Sequence, residues 1–193
     1  MKELFIKYLK GHVGDIYVWG AQGETDITER WIRRRETSEK NARRAIALWE
    51  KRKAEGRDPI AAFDCSGLIV RFLLDNELIK RDMSSRGLYS ACEKLSDRSQ
   101  LAPGDLLFRH NGKRIHHVGA YIGGGLVIEA MGRDDGVVLN CLDSNGAGYW
   151  NRYGRLPALG AGETERIWER CKGEDCPCRQ LILEIRKGEK DEQ

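Results

Sequence analysis

The chain has 193 residues, with 33 Lys or Arg against 30 Asp or Glu, and is 33% charged and 40% hydrophobic. It is long enough for one elaborated domain to bury a core without staples. Its charges are too evenly balanced for a dedicated nucleic-acid binder, and no run approaches the roughly 18 consecutive apolar residues of a bilayer span. Neither nucleic acid nor membrane insertion is therefore expected. The opening MKELFIKYLKGHVGD carries charges at Lys2, Glu3, Lys7 and Lys10, which break the apolar run that a secretory signal needs. We expect cytoplasmic synthesis, with the six cysteines at 65, 92, 141, 171, 176 and 178 kept as reduced thiols.

Leu4, Phe5, Tyr8 and Leu9 recur three and four apart, which predicts a helix over 2–10 that Gly11 and Gly14 end. IYVWG at 16–20 reads as a strand. The composition then turns polar, with eleven Lys or Arg and four Glu between Arg30 and Arg57, while Ala42, Ala45, Ile46, Trp49 and Lys53 keep helical spacing. This predicts a helical insertion at about 24–60, one or two helices joined near Thr37 and Ser38. It either packs Ile46 and Trp49 onto the body or acts as a basic lid or clamp for an anionic substrate. Residues 65–77 read as a helix with Leu68, Ile69, Phe72 and Leu73 as its buried stripe and Asp64 as its cap. After a polar stretch, LAPGDLLF at 101–108 predicts a Pro-Gly turn into a strand. RIHHVGAYIGGGLVIEAM at 114–131 predicts a hairpin joined at three glycines, and GVVL at 136–139 a further strand. Helices followed by a mostly antiparallel sheet define an α+β class. The organisation expected is one domain over 1–160 and a charged extension over 161–193.

Chemistry concentrates at Cys65. A thiol at its ordinary pKa of about 8.5 is mostly protonated at neutral pH, and the thiolate is the nucleophile. A helix N-terminus supplies partial positive charge and unpaired N–H groups, and a nearby imidazole can take the proton. Of the four histidines, His116 and His117 are adjacent on a predicted strand, so only one of them faces any given side. Gly119, two residues after His117 and on its face, leaves room for a partner across the hairpin. With a three-residue loop over 123–125, Ile122 opposes Leu126, and Glu129 falls opposite Gly119 beside His117. A two-residue loop would turn Glu129 away unless a bulge intervened. A carboxylate there would fix the imidazole tautomer.

The remaining candidates carry less. Cys171, Cys176 and Cys178 in CKGEDCPC resemble metal ligands but lack the second paired cluster of a zinc site. Cys92 and Cys141 read as buried, inert thiols, Trp19 as packing, and His12, His110 and His116 as structural or surface residues.

Four segments, YVWG at 17–20, FDCSGL at 63–68, LAPGDLLF at 101–108 and HVGAYIGGG at 117–125, resemble in order the motifs of the NlpC/P60 superfamily of bacterial cell-wall cysteine peptidases. The resemblance covers about residues 2–22 and 61–157. It implies a papain-like NlpC-type core packed against N-terminal helices, with Cys65 as nucleophile and His117 as base. It also implies that Tyr17 binds substrate or oxyanion and that Asp64 and Ser66 shape the pocket for the substrate's amine end. The family's third catalytic position is most often histidine; here Glu129 aligns with it. The implied substrates are peptidoglycan stem peptides or muropeptides, cut at the D-γ-glutamyl–diamino acid bond through an acyl-enzyme, with no metal or organic cofactor. Lacking a secretory signal, such an enzyme would belong to a phage that releases it to the wall, or to recycling of wall peptides inside the cell. Two rival classes use the same residues: an acyl or amide transferase, and an inactive wall-binding homologue.

Overall fold

A computed structural model describes residues 1–146 and 148–160, so the cysteines at 171, 176 and 178 and the extension over 161–193 lie outside the described residues. In chain order the elements are α1 (Lys2–Gly11), β1 (Ile16–Tyr17), β2 (Gln22–Glu24), α2 (Glu29–Arg35), α3 (Glu39–Ala54), β3 (Ala62–Phe63), α4 (Gly67–Asp75) and α5 (Ser85–Ala91). There follow β4 (Glu93–Leu95), β5 (Leu106–His110), β6 (Ile115–Gly123), β7 (Leu126–Gly132), β8 (Gly136–Cys141) and β9 (Arg152–Arg155). This is the α+β arrangement expected of a papain-like core. A six-stranded sheet in the order β4-β9-β5-β6-β7-β8 is antiparallel throughout, and β3 lies between β1 and β2 in a separate small sheet. Among the described residues no helix is long and apolar enough to cross a membrane.

Several boundaries differ from the sequence expectation. The strand expected over 16–20 stops at Tyr17, because the chain turns at Trp19 and Gly20 and Ala21 N–H donates back to Val18 O (3.1 Å). α4 starts at Gly67, two residues later than the periodicity suggested, because the residues before it form the cap rather than the helix. α5, β4 and β9 were not anticipated; each is short and largely polar, with little periodic signal. Cys141 is exposed rather than buried, since it ends β8 at the edge of the sheet, and Trp19 is 53% exposed rather than packed.

The insertion folds as two helices with side-chain caps, Thr28 accepting from Trp31 N–H and Ser38 from Asn41 N–H (both 3.2 Å). It is part of the core rather than a detached lid. Ile32, Ala45, Ile46 and Leu48 bury against Ile16, Val18, Ala21 and Ala62 of the β1 and β3 region, with Trp31 and Trp49 packed at the margin. Leu48, absent from the predicted stripe, is buried, whereas Trp49 is half-buried under Lys53 Nζ, 4.2 Å from its ring centroid.

The β6–β7 hairpin reaches the expected facing by another route. Its loop has two residues, Gly124 and Gly125, at φ 60° and 74°, the left-handed pair that a mirror-image turn requires. Gly123, not Ile122, pairs with Leu126; Tyr121 pairs with Val127 and Ala120 with Ile128, so Ile122 is the extra residue of a bulge. A shorter loop and one bulged residue restore the count, and the next rung sets Glu129 against Gly119. A Cβ placed on Gly119 would lie 3.2 Å from Glu129 Cβ and 2.9 Å from Trp150.

Close approach also explains Gly67, where an added Cβ would sit 2.0 Å from the carbonyl oxygen of Ala21. That neighbour is backbone and cannot swing aside. Gly67→Ala should cost about 3 kcal/mol in equilibrium denaturation. Gly11→Ala, with nothing within 4 Å of its new methyl, should change stability by no more than about 0.5 kcal/mol.

Candidate active site

Asp64 makes the turn that carries Cys65. Its Oδ1 accepts from Gly67 N–H (2.6 Å) and the Ser66 hydroxyl (3.0 Å), its Oδ2 accepts from Gly20 N–H (3.1 Å), and its own N–H donates to Ala21 O (2.9 Å). Leu68 N–H returns to Asp64 O at 3.1 Å. Asp64 is thus the working cap of α4, tied to the Trp19–Gly20 turn, and Cys65 stands in the turn between that cap and Gly67, where the helix begins, half-buried.

The backbone N–H groups of Val118 on β6, of Ser66 and of Cys65 itself draw the Cys65 thiol down, and Val118 is the residue after His117. His117 is buried and His116 exposed, so the imidazole turned into the molecule is His117. Burial, followed by the Asp64 carboxylate, pushes the Cys65 thiol up to about 12 against the pull of those N–H groups.

His117 Nε2 lies 2.6 Å from Glu129 Oε2, on a carboxylate whose side chain is fully out of solvent. A carboxylate only accepts, so Nε2 carries the hydrogen and Nδ1 keeps its lone pair free to take a proton. Glu129 is satisfied from two further elements: Asn140 Nδ2 of β8 donates to Oε1 (3.2 Å) and the Tyr149 hydroxyl donates to Oε2 (3.3 Å). Trp150 stacks on His117, ring centroids 5.5 Å apart and planes 15° from parallel, and fixes the plane of the imidazole. Arg109 lies over Tyr149, 4.1 Å from its centroid, and burial with the Glu129 charge pushes the Tyr149 phenol up to about 12.

Tyr17 is buried on β1, paired with Phe63 one residue before the cap. Burial, then Cys65 and Asp64, hold its phenol above the ordinary range, while Arg133, 4.8 Å from its ring centroid, draws it down. The structure therefore gathers Tyr17, Asp64, Cys65, Ser66, His117 and Glu129 into one region. Sequence reasoning did not find Asn140, Tyr149, Trp150 or Arg133. The aromatic run Tyr149, Trp150 and Tyr153 was the available signal, but no periodicity pointed it at β6. The other histidines are structural or exposed: His12 Nδ1 bonds Asp15 (2.7 Å), and His110 Nδ1 accepts from Gly112 N–H (3.2 Å). Among the described residues no group of three His, Cys, Asp or Glu is placed to hold a metal ion.

A family model described as the NlpC/P60 family matches residues 14–154. The chain belongs to the NlpC/P60 family. It is similar to the probable endopeptidase p60 of Listeria grayi, 30% identical over 144 residues that cover 75% of this chain and 20% of that protein. It is also similar to the bifunctional muramidase/DL-endopeptidase CwlT of Bacillus subtilis, 35% identical over 98 residues, 49% of this chain and 28% of that one. This chain thus spans well under half the length of either relative. RipD of Mycobacterium tuberculosis, described as a non-catalytic NlpC/p60 domain protein adapted to peptidoglycan binding, shares the fold at a TM-score of 0.52 and 22% identity, covering 80% of this chain and 96% of its own. Within the NlpC/P60 match fall all six residues singled out from the sequence, and so does the insertion.

A raised thiol pKa has a direct consequence: the protonated form dominates throughout the neutral range. Alkylation of Cys65 by iodoacetamide, followed by peptide mass spectrometry, should accelerate roughly tenfold per pH unit from about pH 6 to about pH 10. A plateau reached near neutrality would show a thiolate already formed in the free protein.

Proposed function

We infer that this chain is a cysteine endopeptidase of peptidoglycan stem peptides, cutting the D-γ-glutamyl–diamino acid bond. The observation that carries the inference is the buried His117–Glu129 pair, held at 2.6 Å across β6 and β7, with the backbone N–H of Val118, the residue after His117, drawing the Cys65 thiol down. A nucleophile, a base and an orienting carboxylate suit acyl transfer.

In the mechanism, Nδ1 of His117 takes the thiol proton as sulfur attacks the γ-carbonyl. The tetrahedral oxyanion draws on N–H groups at the start of α4 and on the Tyr17 hydroxyl. Imidazolium then protonates the leaving amine, and water, deprotonated by the same imidazole, hydrolyses the thioester. Ser66 donates its hydrogen to Asp64, so the pair offers only acceptor lone pairs to its surroundings. That suits the ammonium of a free peptide amine and supports the roles assigned to both residues. The names of the Listeria and Bacillus relatives favour peptide cleavage; RipD shows that the fold also serves without catalysis.

Purified muropeptides incubated with the protein and analysed by mass spectrometry should show split γ-glutamyl bonds, and Cys65→Ala should abolish the products. Reaction with an acyl donor alone would favour a transferase, and muropeptide binding without cleavage would favour a wall-binding module. Glu129→Gln, which keeps the volume but loses the charge, should lower kcat by about 10²–10⁴-fold with a smaller change in KM.

A further inference from the structure

The insertion grips the wall of the site through the C-terminal end of α2. Arg35 Nη1 donates to Gly20 O (2.6 Å) and Arg35 Nη2 pairs with Glu24 (2.6 Å), while Glu36 Oε1 accepts from Trp19 N–H (3.0 Å). Both ends of the Trp19–Gly20 turn are therefore held by adjacent residues of one helix terminus, and Gly20 N–H passes the constraint on to Asp64, next to Cys65. The second oxygen of Glu36 receives Arg133 from the β7–β8 turn, Nε at 2.9 Å and Nη2 at 2.8 Å. The Glu36 side chain is wholly excluded from solvent and that of Arg133 is 16% exposed. The same guanidinium lies 4.8 Å from the ring centroid of Tyr17. The next residue, Asp134, pairs with Arg44 of α3 (2.5 Å), so the turn that presents Arg133 is itself fastened to the insertion.

A fully buried carboxylate is costly unless a cation and donors surround it, so such a pair holds its partners in one geometry. A cation over a phenol ring fixes the ring and strengthens the hydrogen bond its hydroxyl donates. We propose that Glu36 and Arg133 are positioning residues for the Cys65 site. A carboxylate supplied by the insertion pins a guanidinium on Tyr17, and the guanidinium sets the direction and donor strength of the Tyr17 hydroxyl. The basic insertion then acts as a buttress of the oxyanion side and not as a clamp for anionic substrate. Its bearing on catalysis rests on the endopeptidase function inferred above. The pair itself can be tested without peptidoglycan, because any acyl donor attacked by Cys65 generates the same kind of oxyanion.

The test is a double-mutant cycle with Tyr17→Phe. Glu36→Gln combined with Arg133→Met removes both charges and leaves an acceptor for Trp19 N–H, so no buried charge is orphaned. Arg133→Met alone serves as the second variant, and thermal melts establish that each is folded. In muropeptide cleavage the paired variant should lower kcat about tenfold with KM changed less than about twofold. It should slow acylation by p-nitrophenyl acetate to the same degree and cost little more once Tyr17 is Phe. Equal fractional losses in the Tyr and Phe backgrounds, or a lowered melting temperature with kcat unchanged, would overturn the proposal. If the wild type cleaves no muropeptide, the endopeptidase inference falls, and the p-nitrophenyl acetate cycle alone decides the positioning role by the same two criteria.

Discussion

The bond between His117 Nε2 and Glu129 Oε2 is the constraint to which most of the sheet side of the molecule answers. A carboxylate removed from water must be met by donors, and Glu129 draws them from three places: His117 on β6, Asn140 on β8 and Tyr149 in the segment before β9. For those donors to converge, β6 and β7 must be in one register only. The bulge at Ile122 and the absence of a side chain at Gly119 provide that register and the space, which Trp150 then shares. Asn151 fastens the aromatic segment to β5 by hydrogen bonds in both directions with the backbone of His110 (2.8 and 2.9 Å). The imidazole is consequently held at its edge by a carboxylate and at its face by an indole.

The helical side is built by a different device with the same result. Asp64 spends its carboxylate on the first turn of α4 and on Gly20, and the N–H groups of Ser66 and, from the sheet side, Val118 draw the Cys65 thiol down. Burial pushes the Cys65 thiol up, and the groups that brace its surroundings lie outside the motif residues: Trp150 on one side and the insertion on the other. Part of the insertion's charge is paired at the surface. Arg33, Arg35, Arg43, Arg44 and Arg52 each bond a carboxylate, which leaves less free positive charge than the composition suggested.

The sequence by itself determined the class and the order of the principal elements, and it singled out Cys65, Asp64, one of His116 and His117, and Glu129, while Tyr17, Ser66 and the choice of His117 came from the resemblance to family motifs. Local signals carry the former: the 3.6-residue stripe of α4, the glycine turn of the hairpin, strand alternation separating His116 from His117, and an acid in front of a helix. The facing of Glu129 depended on whether a two-residue loop came with a bulge, and only the structure supplies the bulge at Ile122. What only the tertiary structure decided are the groups that meet across long separations. Trp150 reaches His117, Asn140 and Tyr149 reach Glu129, and Arg133 reaches Glu36 from 97 residues away. None of these has a periodic or spaced signature, since a hydrogen bond between distant segments depends on where whole strands lie, and that is set by burial of the core rather than by any residue's neighbours in the chain.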